Sequence, residues 1–246
     1  LLATDHTSHW LVTHWSDNML TKLLLILGAF VLTVNARSVS KRPLGNDIRR
    51  SYKYGATPDK SLLWPGRTVP YVIGSALRGS ERRLIQKTIA EFNRLSCMKW
   101  VPRKSEKYYV KFKALEDEGC YSELGFVRER GQEINLEDGC VYRETILHEI
   151  MHAMGFEHEH QRMDRDKYVK IYWENIEADS RDQFDKLESD YLNTNYDYGS
   201  VMHYENDAFT RNGRITMSAK MKGVRFGEAP TLSKTDIVRL NRLYKC

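Results

Sequence analysis

The chain is expected to fold as an α+β domain, and three patterns in its sequence carry that expectation. Tyr109 to Leu115 alternates apolar Val110, Phe112 and Ala114 with Lys111 and Lys113, as a half-buried strand does. Leu84, Ile85, Ile89, Phe92 and Leu95 recur at the spacing of one helix face. Ile146, Leu147, Ile150, Met151 and Met154 do the same further along.

The other elements follow in chain order. Trp64-Pro65-Gly66 is a turn signal, and Thr68 to Ile73 reads as a strand. Ser80 is expected to N-cap the helix that carries Leu84 to Leu95. Gln132 to Leu136 reads as a short strand, either an exposed sheet edge or an ordinary hairpin arm. Asp179 to Leu187 is expected to be helical, with Phe184 and Leu187 packing inward. Ser233-Lys234-Thr235-Asp236 resembles a capping box, followed by a helix that buries Ile237, Leu240 and Leu243.

The chain of 246 residues has room for one substantial domain plus processing segments. Its 41% apolar content supports a core, and 29% charged residues argue for a soluble protein. The formal charge of +5 comes from scattered lysines and arginines, with no long basic run, so no nucleic-acid partner is expected.

The first methionine is Met19. Residues 1–18 read as upstream sequence translated by mistake or an unrelated leader, with a functional extension as the alternative. Residues 19–36 read as a signal peptide: Lys22 supplies the positive region, Leu23 to Val34 the apolar core, and Val34-Asn35-Ala36 the cleavage site. That apolar run is shorter than the roughly 17–25 residues a membrane span needs. Residues 37–54 read as a basic, loop-like processing segment, a propeptide once the family resemblance given below is added, in which Arg49, Arg50 and Lys53 offer bonds to a trypsin-like activating protease. Residues 55–246 would form the main folded domain. The chain is therefore expected to be secreted and extracellular. It carries no Asn-x-Ser/Thr sequon.

The stretch His148-Glu149-Ile150-Met151-His152-Ala153-Met154-Gly155-Phe156-Glu157-His158 carries the chemistry. On a helix, His148 and His152 lie on one side, with Cβ atoms about 5–6 Å apart, and can grip one ion. Gly155 suits the left-handed end of a helix. The chain can then reverse and bring His158 to the same ion, whereas a continuing helix would carry it almost three turns away. Three imidazoles leave a fourth zinc position open, as in catalytic sites, and Glu149 stands where it can take a proton from water there. A lone HExxH also occurs as a charged, solvent-facing helix turn; the added Gly155 and His158 separate this stretch from that reading.

The run HEIMHAMGFEHE, from His148 to Glu159, resembles the zinc signature of the astacin family, a branch of the metzincin endopeptidases. Tyr198-Gly199-Ser200-Val201-Met202-His203-Tyr204 is similar to that family's methionine turn, SxMHY. Asp164 to Ile171 and Leu240 to Cys246 also look like this family, and the resemblance runs from about Leu62 to Cys246. It implies a metzincin/zincin-like two-lobed catalytic domain, with a mixed twisted sheet and the zinc helix in the N-lobe and an irregular C-lobe.

The resemblance also implies roles. His148, His152 and His158 would hold one Zn2+ per catalytic domain. Glu149 would act as general base and Tyr204 would help hold the oxyanion, although a tyrosine is more often a packed ring. Met202 would floor the histidines or simply fill the core. Glu159 would pair with the amine of the mature N-terminus. Asp47, in Gly45-Asn46-Asp47-Ile48, would cap the zinc in the uncut chain, with Asn46 as an insertion relative to the family pattern. Four cysteines allow three pairings, and the family pattern joins Cys97 to Cys246 and Cys120 to Cys140. Arg211, Arg214 and Lys220 are candidate partners for acidic substrate residues, or ordinary surface charge. The function implied is a secreted zinc-dependent endopeptidase, made as a zymogen and acting on proteins or peptides. The alternative is an inactive zinc-binding protein that uses its cleft to hold peptide or matrix.

Overall fold

The computed structural model describes residues 59–188 and 190–246. The expected leader, signal peptide, propeptide and the Asp47 switch lie outside the described residues.

A five-stranded sheet holds the first half of the domain. Its strands are β1 (Thr68–Ile73), β2 (Lys99–Pro102), β3 (Tyr109–Lys113), β4 (Cys120–Ser122) and β5 (Arg130–Leu136), in the order β2-β1-β3-β5-β4. The first three pairings are parallel, and β4 runs antiparallel to β5 with Tyr121 opposite Asn135. The sheet is therefore mixed. The alternation in β3 sends Val110 and Phe112 into the core, while Lys113 pairs with Glu133 of β5 on the other face.

Helices α1 (Gly79–Leu95) and α2 (Arg143–Ala153) share the core of this sheet. Ile85, Ile89 and Phe92 of α1, and Ile146, Leu147, Ile150 and Met151 of α2, are buried with Val69, Trp100, Val110, Phe112, Ile134 and Leu136 of the strands. Leu84 and Leu95 are partly buried at the edge of the cluster. Arg143 at the start of α2 forks onto Glu91 of α1, with Nε 2.7 Å from Oε2, tying the two helices together.

Beyond Gly155 most of the chain is irregular or 3-10. It packs a second cluster from Val169, Ile176, Phe184, Tyr196, Tyr204, Ala208, Met217 and Phe226. A two-stranded ribbon, β6 (Val169–Ile171) with β7 (Met217–Ala219), braces it. The last helix, α3 (Lys234–Leu243), returns to the first core through Leu240, with Ile237 and Leu243 partly buried beside it. Cys97, just past α1, is bonded to Cys246, and Cys120 of β4 to Cys140 ahead of α2, with Cα separations of 6.0 and 5.7 Å. No helix among the described residues is long and apolar enough to cross a membrane.

Two sequence expectations are corrected, and a third that left two readings open is resolved. Ser80 does not cap α1. The cap is Arg78, whose N–H is accepted by Glu81 Oε2 at 2.5 Å, and Arg82 N–H donates to Arg78 O at 2.8 Å. The third-position carboxylate thus supplies the half of a capping box that satisfies the cap's own N–H. Asp179 to Leu187 is not one helix but a 3-10 stretch, Ala178–Phe184. Its terminal carbonyls are drawn away: Gln183 O accepts from His160 Nε2 (2.9 Å) and Gln161 Nε2 (3.2 Å), and Phe184 O accepts from Arg165. Phe184 is buried as expected, whereas Leu187 is half-exposed and bridges Arg162. Of the two readings of Gln132–Leu136, the hairpin arm holds: β5 pairs antiparallel with β4 and is no edge. It lies between β3 and β4, so the edge beside the metal helix is β4, only three residues long.

Candidate metal centre

Helix α2 ends just past His148 and His152, the candidate metal ligands, because several donors stop it there. Gly155 sits at φ +94°. Its N–H donates to His152 O at 2.8 Å, and Phe156 N–H donates to Met151 O at 3.1 Å. These are the two bonds of a Schellman closure, which needs a left-handed residue and so favours glycine. Donors from outside the helix make a second bond to His152 O and take the carbonyls that remain. Gly125 N–H donates to His152 O (2.9 Å), Trp64 Nε1 to Ala153 O (3.0 Å) and the Tyr244 hydroxyl to Met154 O (3.2 Å). A helix end so fully satisfied cannot fray, and the chain leaves it in one direction.

That exit brings His158 back onto the helix face. The Nε2 atoms of His148 and His158 stand 3.3 Å apart, and those of His152 and His158 3.2 Å apart. Tetrahedral bonds of about 2.0–2.1 Å put ligand nitrogens about 3.3–3.4 Å from one another. The three rings thus fit one zinc ion, and they form a buried triad whose ligand atoms all lie within 4.8 Å of one another.

The opposite ring nitrogens set the tautomer. His148 Nδ1 lies 2.7 Å from Val201 O, His152 Nδ1 2.6 Å from Phe156 O, and His158 Nδ1 3.1 Å from Gln161 Oε1. Carbonyl oxygens only accept, so each Nδ1 carries the proton and each Nε2 presents its lone pair to the common point. Gln161 keeps its oxygen toward His158 because its amide NH2 donates to Gln183 O at 3.2 Å.

Glu149 follows the first ligand on α2 and is wholly buried. The turn from Tyr198 to Tyr204 approaches from the other lobe. Met202 is buried in the first core, and its carbonyl accepts Glu159 N–H at 3.0 Å. Asp236, third residue of the α3 capping box, is buried and clasps this turn. Its carboxylate accepts from Ser200 Oγ (2.7 Å), Val201 N (3.0 Å) and Ser233 N (2.9 Å). Burial pushes its pKa up, and those bonds oppose the rise.

Tyr204 is buried between two imidazoles, with ring centroids 4.2 Å from His158 and 4.3 Å from His160. Its own carbonyl accepts His203 Nδ1–H at 2.9 Å, and His203 Nε2 accepts the Tyr196 hydroxyl at 2.6 Å. Burial pulls the His203 pKa down to about 4 and raises that of the Tyr196 hydroxyl, so both are neutral at pH 7. Burial also holds His160 well below the ordinary imidazole value, and its Nε2–H donates to Gln183 O.

Glu159 is buried with its carboxylate engaged by Arg239. Burial pushes its pKa up, and Arg239 and Arg162 pull it down. Arg211, Arg214 and Lys220 are exposed; Arg211 Nε donates to Glu174 O at 2.7 Å and the Lys220 ammonium to Asp166 O. His160, Gln161, His203, Asp236 and Arg239 were not singled out as site residues from sequence. Only Gln161, three residues past His158, carried a local signal, as a partner for that ring.

A family profile described as Astacin, a peptidase family, matches residues 56–245. Zinc metalloproteinase nas-6 of Caenorhabditis elegans is 39% identical over 198 residues, covering 78% of this chain and 57% of that protein. The low choriolytic enzyme of Oryzias latipes is 38% identical over 205 residues, covering 80% and 74% respectively. The chain spans about half the length of the nematode relatives it matches. Among solved structures, high choriolytic enzyme 1 of medaka, a hatching enzyme zinc-protease, superposes with a TM-score of 0.69 at 37% identity, covering 80% of this chain and 98% of that one. Myroilysin, at 20% identity and a TM-score of 0.55, shares the fold. With a matched profile over most of its length, a full-domain structural neighbour and a histidine triad that could hold a metal ion, this chain belongs to the astacin family of peptidases.

Proposed function

We propose that this chain is a secreted zinc endopeptidase that hydrolyses peptide bonds in proteins. The observation that carries the reading is the convergence of the His148 and His152 Nε2 atoms on that of His158, at 3.3 and 3.2 Å, with each ring fixed by a carbonyl oxygen behind it. His148, His152 and His158 would hold Zn2+, which when bound acts as a Lewis acid on water and on a substrate carbonyl.

The chain's own residues would do the rest. Glu149, buried beside the first ligand, accepts the proton of the attacking water and later delivers it to the leaving amine. The Tyr204 hydroxyl donates to the oxyanion as it develops. Burial supports both roles, because a proton transfer or a hydrogen bond gains strength where water is excluded. Two disulfides support an oxidising, extracellular setting. Synthesis as a zymogen, with Asp47 over the zinc and cleavage at Arg49, Arg50 or Lys53 by a trypsin-like protease, completes the proposal. Glu159 would pair with the amine of the mature N-terminus.

The test is casein or gelatin cleavage by the trypsin-processed chain, with zinc counted by atomic absorption. One zinc per chain and cleavage abolished by phenanthroline are expected. A zinc-loaded, processed chain that cleaves neither protein would refute the peptidase reading and favour a binding role.

A further inference from the structure

The peptide that joins Tyr204 to Glu205 is covered by a second piece of main chain. An added Cβ at Gly227 would stand 2.4 Å from Glu205 Cα and 2.7 Å from both Glu205 N and Tyr204 O, and Gly227 sits at φ +80°. Backbone lies on backbone there, and a residue with a Cβ cannot come that close.

Both segments are anchored. Just before Gly227, Phe226 belongs to the second core and packs on His203, with ring centroids 4.4 Å apart. Just after it, Leu232 is buried in the first core, with Ala229 packed against that cluster. On the facing segment the Tyr204 carbonyl accepts His203 Nδ1–H at 2.9 Å. Asn206 O, two residues on, accepts Thr216 N–H at 2.8 Å and Met217 N–H at 3.0 Å. The Tyr204 ring, set between His158 and His160, also has Phe209 and Phe184 at centroid distances of 5.7 and 6.3 Å. The reach of its hydroxyl therefore starts from wherever the Tyr204–Glu205 peptide is allowed to lie.

We propose that Gly227 is a positioning residue for Tyr204: the bare backbone at 227 seats the Tyr204–Glu205 peptide, and so sets where the tyrosine hydroxyl meets the oxyanion. The inference rests on the reading of Tyr204 as the oxyanion's donor. Ordinary contact for a Cβ begins at 3.4 Å, so a side chain at 227 must open the 2.4 Å approach by about 1 Å. A misplacement of about 1 Å can cost about 10²-fold in rate. The histidines are held from elsewhere, by Val201 O, Phe156 O and Gln161 Oε1, so the metal should stay bound. Gly213 supplies a control. Its φ is +73°, so alanine there meets similar backbone strain, but among the described residues nothing lies within 4 Å of the added Cβ.

The test compares Gly227→Ala, Gly213→Ala and the parent as zinc-loaded full chains processed by trypsin, assayed on a quenched peptide. Gly227→Ala is expected to lower kcat about 10–100-fold and leave KM within about twofold, the pattern of a contact made only in the transition state. Zinc content and cooperative thermal melting should be kept. Gly213→Ala should keep kcat within about twofold of the parent. In a Tyr204→Phe background, Gly227→Ala should change kcat by less than about twofold, because the hydroxyl through which it acts is gone. Parental kcat in Gly227→Ala overturns the proposal. So does an equal loss in Gly213→Ala, or an equal loss with and without the Tyr204 hydroxyl. Loss of zinc or of cooperative melting in Gly227→Ala overturns it as well, since the residue would then be a requirement of the fold and not of one side chain's place. A parent that loads zinc and cleaves nothing overturns the peptidase reading and takes this proposal with it; where the parent cleaves, the other outcomes bear on this proposal alone.

Discussion

Replacing Asp236 by alanine removes the acceptor on which the last helix and the methionine turn both depend. The carboxylate is buried and takes three donors, Ser200 Oγ, Val201 N and Ser233 N. Ser200 keeps a second contact, since its oxygen accepts Met202 N–H at 3.1 Å, and its hydroxyl can rotate. The two main-chain N–H groups cannot. Leaving a buried donor unmade costs about 1–3 kcal/mol. The desolvation that raises the Asp236 pKa is relieved in the mutant and returns part of that. A net loss of about 2–4 kcal/mol is expected, from two such donors less the relief. The loss has a second consequence, because the carbonyl of Val201 is the acceptor for His148 Nδ1–H. A displaced Val201 should weaken zinc binding by about tenfold or more, and tenfold weaker binding lowers the stability of the zinc-saturated chain by about a further 1.4 kcal/mol. Urea unfolding of Asp236→Ala and parent, each with zinc in excess and with zinc chelated, measures both quantities. If the destabilisation is the same in both conditions, the coupling from α3 to the metal is refuted. If it is below about 1 kcal/mol in both, the low end for a single unmade donor, the claim that Asp236 anchors the turn falls as well.

Further outcomes are expected elsewhere. Glu149→Ala should keep zinc and stability while turnover falls by roughly 10²–10⁴, the usual worth of a general base, as measured on a quenched peptide. Serine in place of both Cys97 and Cys246 opens a loop spanning 149 residues, for which chain entropy gives an upper figure of about 5 kcal/mol in reduced stability; the loop of 20 closed by Cys120 and Cys140 gives about 3 kcal/mol. Urea unfolding of the two double mutants measures both. Arg143 holds the Glu91 pKa below the ordinary glutamate range. An acid depressed in the folded state stabilises above its unfolded pKa and loses that contribution as pH falls through the folded one. Glu91→Gln should therefore be less stable than the parent by about 0.5–1 kcal/mol at pH 7. Thermal melts should show that gap closing below about pH 4, the ordinary glutamate range; a gap that persisted or widened in acid would contradict the ion pair.

The ligand triad was legible in the sequence because it is local: helix spacing and a glycine stop act within one short stretch, and the structure closes them with the expected left-handed turn. The apolar periods of β3, α1 and α3 were legible for the same reason. What holds the site from behind was not. Arg239 is an ordinary-looking helix residue, and nothing near it in sequence reveals a partner 80 positions away. Asp236 was legible as a cap but not as the clasp of a turn 35 residues earlier. The misreading at Asp179–Leu187 has the same root. Its residues favour a helix, and donors on Arg165, His160 and Gln161, which no window around it contains, claim its carbonyls. The order of the strands, which decides between edge and hairpin arm for β5, is likewise a property of pairing between distant segments.

Two of the three imidazoles lean on main-chain oxygens, those of Val201 and Phe156, instead of on side chains. Any amino acid at those two positions brings the same oxygen. Selection can therefore let the side chains at 201 and 156 drift as far as packing allows without altering the histidines' tautomer. The burden moves to residues that fix where the backbone runs. Gly125 is one: it sits at φ +67°, donates to the end of α2, and an added Cβ would stand 2.6 Å from Leu62 O. In a mutational scan, intolerance around this centre should follow the path of the chain more closely than distance from the metal.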